Sequence, residues 1–198
     1  MHRVGLLISD YFQVLGLSTL SIFEFANQVK GEPFYDCAVY SERGGSVLSS
    51  YGFSVDSKPL DADAPVDTWL IAGVLTPVEL PATPGVVTFL QTHALKARRV
   101  AGICTGAFVL GQAGLLAQRR ATTHWIHAQT LKTMLPTTRV EEDRIFIIDD
   151  HVWTSAGLTA GLDMALGMVE KDLGTEVARS VAHLLVMHHR RSGRSEER

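Results

Sequence analysis

The chain is poor in cysteine: its 198 residues hold two, Cys37 and Cys104. Two thiols are too few for a disulfide framework and point to a reducing compartment, so a cytoplasmic location is expected. Long hydrophobic runs are missing as well, since no stretch approaches the roughly 20 apolar residues of a membrane span. His2-Arg3 followed by Val4-Gly5-Leu6-Leu7-Ile8 is too short, and too soon interrupted by Asp10, for a signal peptide; it reads as a first strand. Neither sign of charge dominates. With 18 basic and 21 acidic residues the formal net charge is -3, which gives the domain no electrostatic reason to grip nucleic acid. Metal-ligand spacing is absent too: His124 and His127 share a helix face, but no third ligand is placed by spacing, so neither metal nor cofactor is expected. Gly44-Gly45 lacks the strand-to-helix setting and the lysine of a phosphate loop.

What is present is material for a core. A hydrophobic content of 46% against 20% charged residues describes an ordinary globular protein, and the length fits one large domain. Residues 1–189 are expected to form it. The last nine residues, RRSGRSEER at 190–198, contain nothing apolar and read as a polar tail or the start of a linker.

Hydrophobic periodicity predicts the elements. Arg3 to Ile8 is a continuous apolar strand of the kind buried on both faces of a parallel sheet. A helical stripe runs from Leu15 to Val29. Tyr35 to Ser41 is a second strand, after which Gly44-Gly45 makes a turn. Val47-Leu48 and Gly52 to Val55 suggest a small hairpin lying off the main sheet. The acidic approach Asp61 to Asp67 leads to a strand from Thr68 to Ala72, ended by Gly73. A helix is expected over Gly85 to Leu95 and a strand over Arg98 to Ile103. A short helix from Ala107 to Ala113 and another from His124 to Leu135, stopped by Pro136, come next. Arg139 to Ile148 suggests a hairpin or two adjacent strands, and Val152 to Ser155 the final strand. Leu158 to Leu173 is helical with Gly174 as a C-cap, and Thr175 is placed to cap a last helix from Glu176 to about His189. This alternation predicts a three-layer α/β domain.

The central stretch is residues 99 to 111, RVAGICTGAFVLG. An apolar strand turns at once into a helical pattern with Cys104 at the corner, the geometry of a nucleophile elbow. Small residues are needed because the two elements pack closely there. The first amides of the helix and its dipole would favour thiolate over thiol. A packed cysteine behaving as a small hydrophobe is the other reading. In an open parallel sheet ligands collect at the carboxyl ends of the strands, which gathers Asp10, Gly73, Cys104, Thr105 and the Ser155–Gly157 corner on one edge. Of the eight histidines, His124 is the best placed to join them, as a neutral hydrogen-bonding ring or simply as a helix cap beside Trp125. Asp163, early in its helix, fits a structural acceptor of backbone N–H groups or a pocket role.

Three segments in order, AGICTGAFVLGQAGLL, RRATTHW and WTSAGLTAGLDMALGMVEKDLG, resemble the DJ-1/PfpI superfamily, the class I glutamine amidotransferase-like fold. Within it the chain is most similar to the amino-terminal domain of GlxA-like AraC-family transcriptional regulators, and next to isonitrile hydratases. LDMALGMVEKDLG running into VARSVAHLLVMHHRRSG resembles the end of such a sensor domain. The resemblance implies a flavodoxin-like sandwich with a mostly parallel sheet and Cys104 as its elbow cysteine. It also implies a homodimer that senses a small-molecule effector and meets DNA only through a helix-turn-helix domain missing from this chain. Where the related enzymes place an acidic residue on the first helix, this sequence has Ser21, with Glu24 three positions on. The residue after the cysteine is Thr105 rather than the histidine of the protease-like branch. Without a neighbouring carboxylic acid the thiol loses a proton relay, so effector binding near Asp10, Ser21, Gly73, Cys104, Thr105 and His124 is expected. A cysteine-dependent enzyme of the hydratase type is the alternative, with Cys104 as its catalytic candidate.

Overall fold

The computed structural model describes residues 1–61, 65–93 and 96–187. The tail at 190–198, the histidines at 188 and 189, and the expected end of a helix at 95 lie outside the described residues. A single eight-stranded sheet organises the chain. It comprises β1 (His2–Leu7), β2 (Tyr35–Ser41), β3 (Arg43–Leu48), β4 (Ser54–Pro59), β5 (Thr68–Ile71), β6 (Arg99–Ile103), β9 (Phe146–Asp149) and β10 (Val152–Ser155), in the spatial order β3-β4-β2-β1-β5-β6-β10-β9. The strands from β2 across to β10 are parallel; β3 and β9 close the two edges antiparallel. Two-residue strands β7 (Arg120–Ala121) and β8 (Arg139–Val140) pair separately.

Alternation along each buried strand sends side chains to two cores. On one face Leu6, Leu70, Ala101 and Trp153 pack against helices α1 (Ser18–Lys30), α5 (Leu158–Leu173) and α6 (Thr175–Leu184). On the other, Leu7, Trp69, Val100 and Val152 meet α2 (Pro84–His93), α3 (Gly106–Gln112) and α4 (Trp125–Met134). The chain is a three-layer α/β sandwich, as the element order predicts. Pro84 occupies the first helical position of α2, where its missing N–H costs nothing.

Four local expectations need correcting. The hairpin β3–β4 is not off the sheet: β4 pairs with β2 at Tyr40↔Lys58 and Ser41↔Pro59. That covers the edge β2 would otherwise leave open. Gly44 and Gly45, at φ +72 and +78, lie within β3 rather than forming its turn. Residues 139–148 do not pair with one another, because β8 joins β7 and β9 joins β10. Thr175 is not a cap either. Gly174, at φ +88 and ψ 167, ends α5 and starts α6, while the Thr175 hydroxyl donates to the Glu170 carboxylate at 3.2 Å.

At the amino edge of the sheet the last turn of α5 is tied down by a buried ionic cluster. Asp172, fully buried, accepts from Arg99 at 2.5 Å, from Arg98 at 3.0 Å and from the Tyr35 hydroxyl at 3.0 Å. Arg99 also lies over the Trp153 ring, as does Lys171. His2 sits beside them, its Nε2 2.8 Å from the Thr68 hydroxyl, and burial lowers its pKa. Removing one partner of a buried pair strands the other charge. Asp172→Asn is therefore expected to reduce the unfolding free energy by about 3 kcal/mol in urea titrations. Because the fold favours neutral His2, its stabilising contribution is present above the ordinary histidine pKa and is lost as pH falls through the lower folded value. Stability measured from pH 7.5 downward should decline less steeply below about 6.5 in His2→Gln than in the wild type.

Candidate functional site

The carboxyl edge of the sheet is built around one corner. β6 ends at Ile103, Cys104 turns in the left-handed region at φ +56, and α3 begins at Gly106. A side chain in that conformation carries a steric cost of about 1–2 kcal/mol, so neighbours must hold it. The Cys104 amide donates to the Ser155 carbonyl at 3.1 Å and lies 3.3 Å from Ser155 Oγ. Its carbonyl accepts from the Thr123 hydroxyl at 3.0 Å. Ser155 ends β10 and Thr123 precedes α4, so the corner is clamped from two elements outside its own strand and helix.

Glycine is required where backbones approach. A Cβ at Gly102 would lie 2.8 Å from the Ala107 amide nitrogen, and one at Gly106 would run into the Ile71 carbonyl. At Gly73 it would strike the Thr105 hydroxyl, which donates to the Val74 carbonyl at 2.6 Å. The loop after β5 and the corner after β6 are thus locked side by side.

The thiol itself is packed. Cys104 is 3% exposed, and burial pushes its pKa up to about 11, outweighing the Thr105 N–H that pulls the other way. The expected dipole-stabilised thiolate is therefore corrected: desolvation of the charged form wins over a seven-residue helix. No carboxylate among the described residues contributes to that balance. Glu24 is exposed on α1 and acts instead on Cys37, whose thiol is raised to about 12 by burial first and by Asp36 and Glu24 after it.

His124 caps α4, its Nδ1 accepting from the Ile126 N–H at 3.4 Å, and its ring stacks on Trp125. Burial lowers its pKa and His127 adds to the effect, in keeping with the neutral ring that a capping acceptor needs. A Cβ at Gly157 would stand 4.0 Å from His124 Cδ2, which places the imidazole beside the corner that holds Cys104. Gly73, Cys104, Thr105 and His124 are thereby brought together. Neither Asp10 nor Ser21 is hydrogen-bonded to the corner among the described residues. Asp10 is exposed and accepts from the Leu48 N–H at 3.4 Å, while Ser21 is half-buried on α1 with no hydrogen bond to the corner among the described residues. Asp163 is buried on α5.

Sequence reasoning missed two contributors. One is Thr123, whose signal in the sequence is no more than a pair of threonines, ready hydroxyl donors, before a helix. Gln13 precedes the 3-10 turn Val14–Leu17; its backbone N–H donates to the Gly73 carbonyl at 2.9 Å, and its Oε1 is buried with no partner among the described residues. Nothing in its spacing marks it. Among the described residues no cluster of three or more His, Cys, Asp or Glu side chains is placed to hold a metal ion, and no helix is long and apolar enough to cross a membrane.

A doubly wound sheet whose strand turns through a left-handed cysteine into a helix defines a class of α/β proteins with their ligand edge at that corner. The chain belongs to the DJ-1/PfpI family, which matches residues 24–171. The HTH-type transcriptional regulator GlxA of Rhizobium meliloti (strain 1021) is 33% identical over 92% of this chain and 56% of its own length. Isonitrile hydratase of Pseudomonas putida is 35% identical over 68% of this chain and 58% of its own length. The chain spans about half the length of the curated relatives it matches. Among solved structures, an AraC family transcriptional regulator from Pseudomonas putida shares the fold with a TM-score of 0.84 at 23% identity, covering 93% of this chain and 100% of that one.

The raised thiol pKa has a direct readout. At pH 8 a thiol of pKa about 11 is roughly one part in a thousand thiolate, against about one in four for a free cysteine. Iodoacetamide should label Cys104 in the native protein at least about 100-fold more slowly than a peptide thiol, with ordinary rates returning in denaturant.

Proposed function

We propose that this chain is the effector-sensing and dimerisation domain of an AraC-family transcriptional regulator, binding a small polar metabolite at the edge formed by Gly73, Thr105, His124 and the surroundings of Cys104. The observation that carries this reading is the state of the thiol. It is buried, its pKa is raised, and no carboxylate among the described residues acts on it. A nucleophilic cysteine needs a base or a positive charge to supply thiolate, and His124 spends its Nδ1 on capping α4. The site nevertheless offers hydrogen-bonding groups: Gln13, whose backbone N–H donates to the Gly73 carbonyl and whose buried Oε1 has no partner among the described residues, and Nε2 of the half-buried His124 ring, whose Nδ1 is the atom used in the cap. Relatives named as HTH-type regulators, GlxA and CdhR among them, match more than nine-tenths of the chain. Contact with DNA would then belong to a separate helix-turn-helix domain, and the working unit would be a homodimer in the cytoplasm.

The second reading is a cysteine-dependent enzyme of the isonitrile hydratase type. It draws support from the 35% identity to a protein of that name and from the position of Cys104 at a strand–helix corner.

Isothermal titration with amines, amino acids and betaines separates the two. Sensing predicts saturable binding that Cys104→Ser retains within about threefold, a change under 1 kcal/mol, with no turnover of a small isonitrile. Failure of every candidate ligand, together with isonitrile turnover that Cys104→Ser abolishes, would overturn the proposal.

A further inference from the structure

Two side-chain atoms among the described residues are buried without a hydrogen-bond partner, Gln13 Oε1 and Ser49 Oγ. Both stand on the strip of chain that crosses the carboxyl ends of the strands, where Phe12 bridges Ser49 on one side and Val74 on the other. They differ in reach. Ser49 and its bridge partner Phe12 are 1% and 0% exposed, so that hydroxyl is walled in by the core. Gln13 is half-buried and only its oxygen is fully covered, so a rotation of its flexible side chain offers that oxygen to an incoming molecule.

The backbone that carries Gln13 is fixed at the site. Its N–H donates to the Gly73 carbonyl at 2.9 Å, and Gly73 is pressed against Thr105, the neighbour of Cys104. Three residues on, a Cβ at Gly16 would lie 3.6 Å from the Ala72 side chain, and the Gly16 carbonyl accepts from the Thr19 hydroxyl of α1 at 2.7 Å. The turn is thus held between the exit of β5 and the first helix, and any motion of the amide is a motion of the side chain alone.

A buried acceptor in this state costs the free protein the desolvation of that group, and the loss is recovered when a donor arrives. The charges around it select the donor. Segments 9–17, 48–54, 73–80 and 124–127, which surround the edge, contain Asp10 and Glu79 but no lysine or arginine, and His124 and His127 complete their ionisable groups. The balance favours a cation over an anion. A charged N–H binds an amide oxygen more strongly than a neutral hydroxyl does. A quaternary ammonium has no N–H and leaves Oε1 as it was.

We propose that Gln13 Oε1 accepts a hydrogen bond from the cationic head of the effector, which is therefore an ammonium that retains at least one N–H rather than a fully methylated one. The inference rests on the sensing site proposed above and names its ligand class.

Isothermal titration with matched pairs tests it: glycine against trimethylglycine, ethanolamine against choline, and γ-aminobutyrate against its trimethylammonium analogue. Where a pair binds, the N–H member should bind at least about tenfold more tightly. Gln13→Met keeps the length and removes the acceptor, and should bring the two members within about threefold of each other. It should also raise the thermal midpoint of the unliganded protein by about 2 °C, because an unmet acceptor has left the interior; loss of a glutamine with a purely structural bond would lower it. Gln13→Glu, which returns an acceptor, should restore the preference. Members that bind alike, a preference that survives Gln13→Met, or a midpoint that Gln13→Met lowers overturns this inference and leaves the sensing site standing. Absence of binding by all six compounds overturns this ligand class, and isonitrile turnover by the same protein overturns the site along with it.

Discussion

The close approach of three backbones at the carboxyl edge is the constraint on which the rest of the structure depends. β5, β6 and the start of α3 come together there with no room for a Cβ at Gly73, Gly102 or Gly106. Once they do, Cys104 is forced into the left-handed turn, and two outside hydrogen-bond donors and acceptors, on Ser155 and Thr123, hold it there. The site is a product of this crowding. The same tightness that presents the corner also buries its sulfur, which is why position at a strand–helix turn and reactivity come apart in this molecule. Geometry alone supplies an elbow; ionisation needs solvent, a cation or a base, and the packing withholds them.

The architecture was legible because long, doubly buried strands write themselves as apolar runs. Val4 to Ile8, Thr68 to Ala72 and Val100 to Ile103 each predict a central parallel strand, and the two-sided alternation that sends Leu6 and Leu7 to different cores needs no tertiary knowledge. The edges were less legible. β4 carries Asp56 and Lys58 and is exposed along much of its length, so periodicity had little to report, and its pairing with β2 follows from the sheet's need to cover an edge. The pairing of β8 with β7 is likewise invisible, since two residues hold no period.

Of the site, the sequence showed which residue types cluster but not which state they adopt. Gly73 and Thr105 join Cys104 by the rule that ligands gather at strand ends, and His124 joins them as the best placed of the histidines. Asp10 obeyed the same rule in sequence, yet its side chain turns toward Leu48. The protonation of Cys104 is not legible in the sequence because dipole and desolvation oppose each other, and only burial, a tertiary quantity, decides between them. Gln13 escaped notice for a related reason: its importance lies in an unmet hydrogen bond, and no local pattern encodes what a side chain lacks.

Gly174 carries a consequence for the helical layer over α1. Its backbone, at φ +88 and ψ 167, lies in a region essentially closed to every residue with a side chain. One hinge-like torsion pair therefore sets the heading of α6 relative to α5, while Asp172, two residues earlier, rivets the end of α5 to the strands. α6 thus takes its bearing from a single achiral carbon, with the rivet fixing the point from which that bearing is measured.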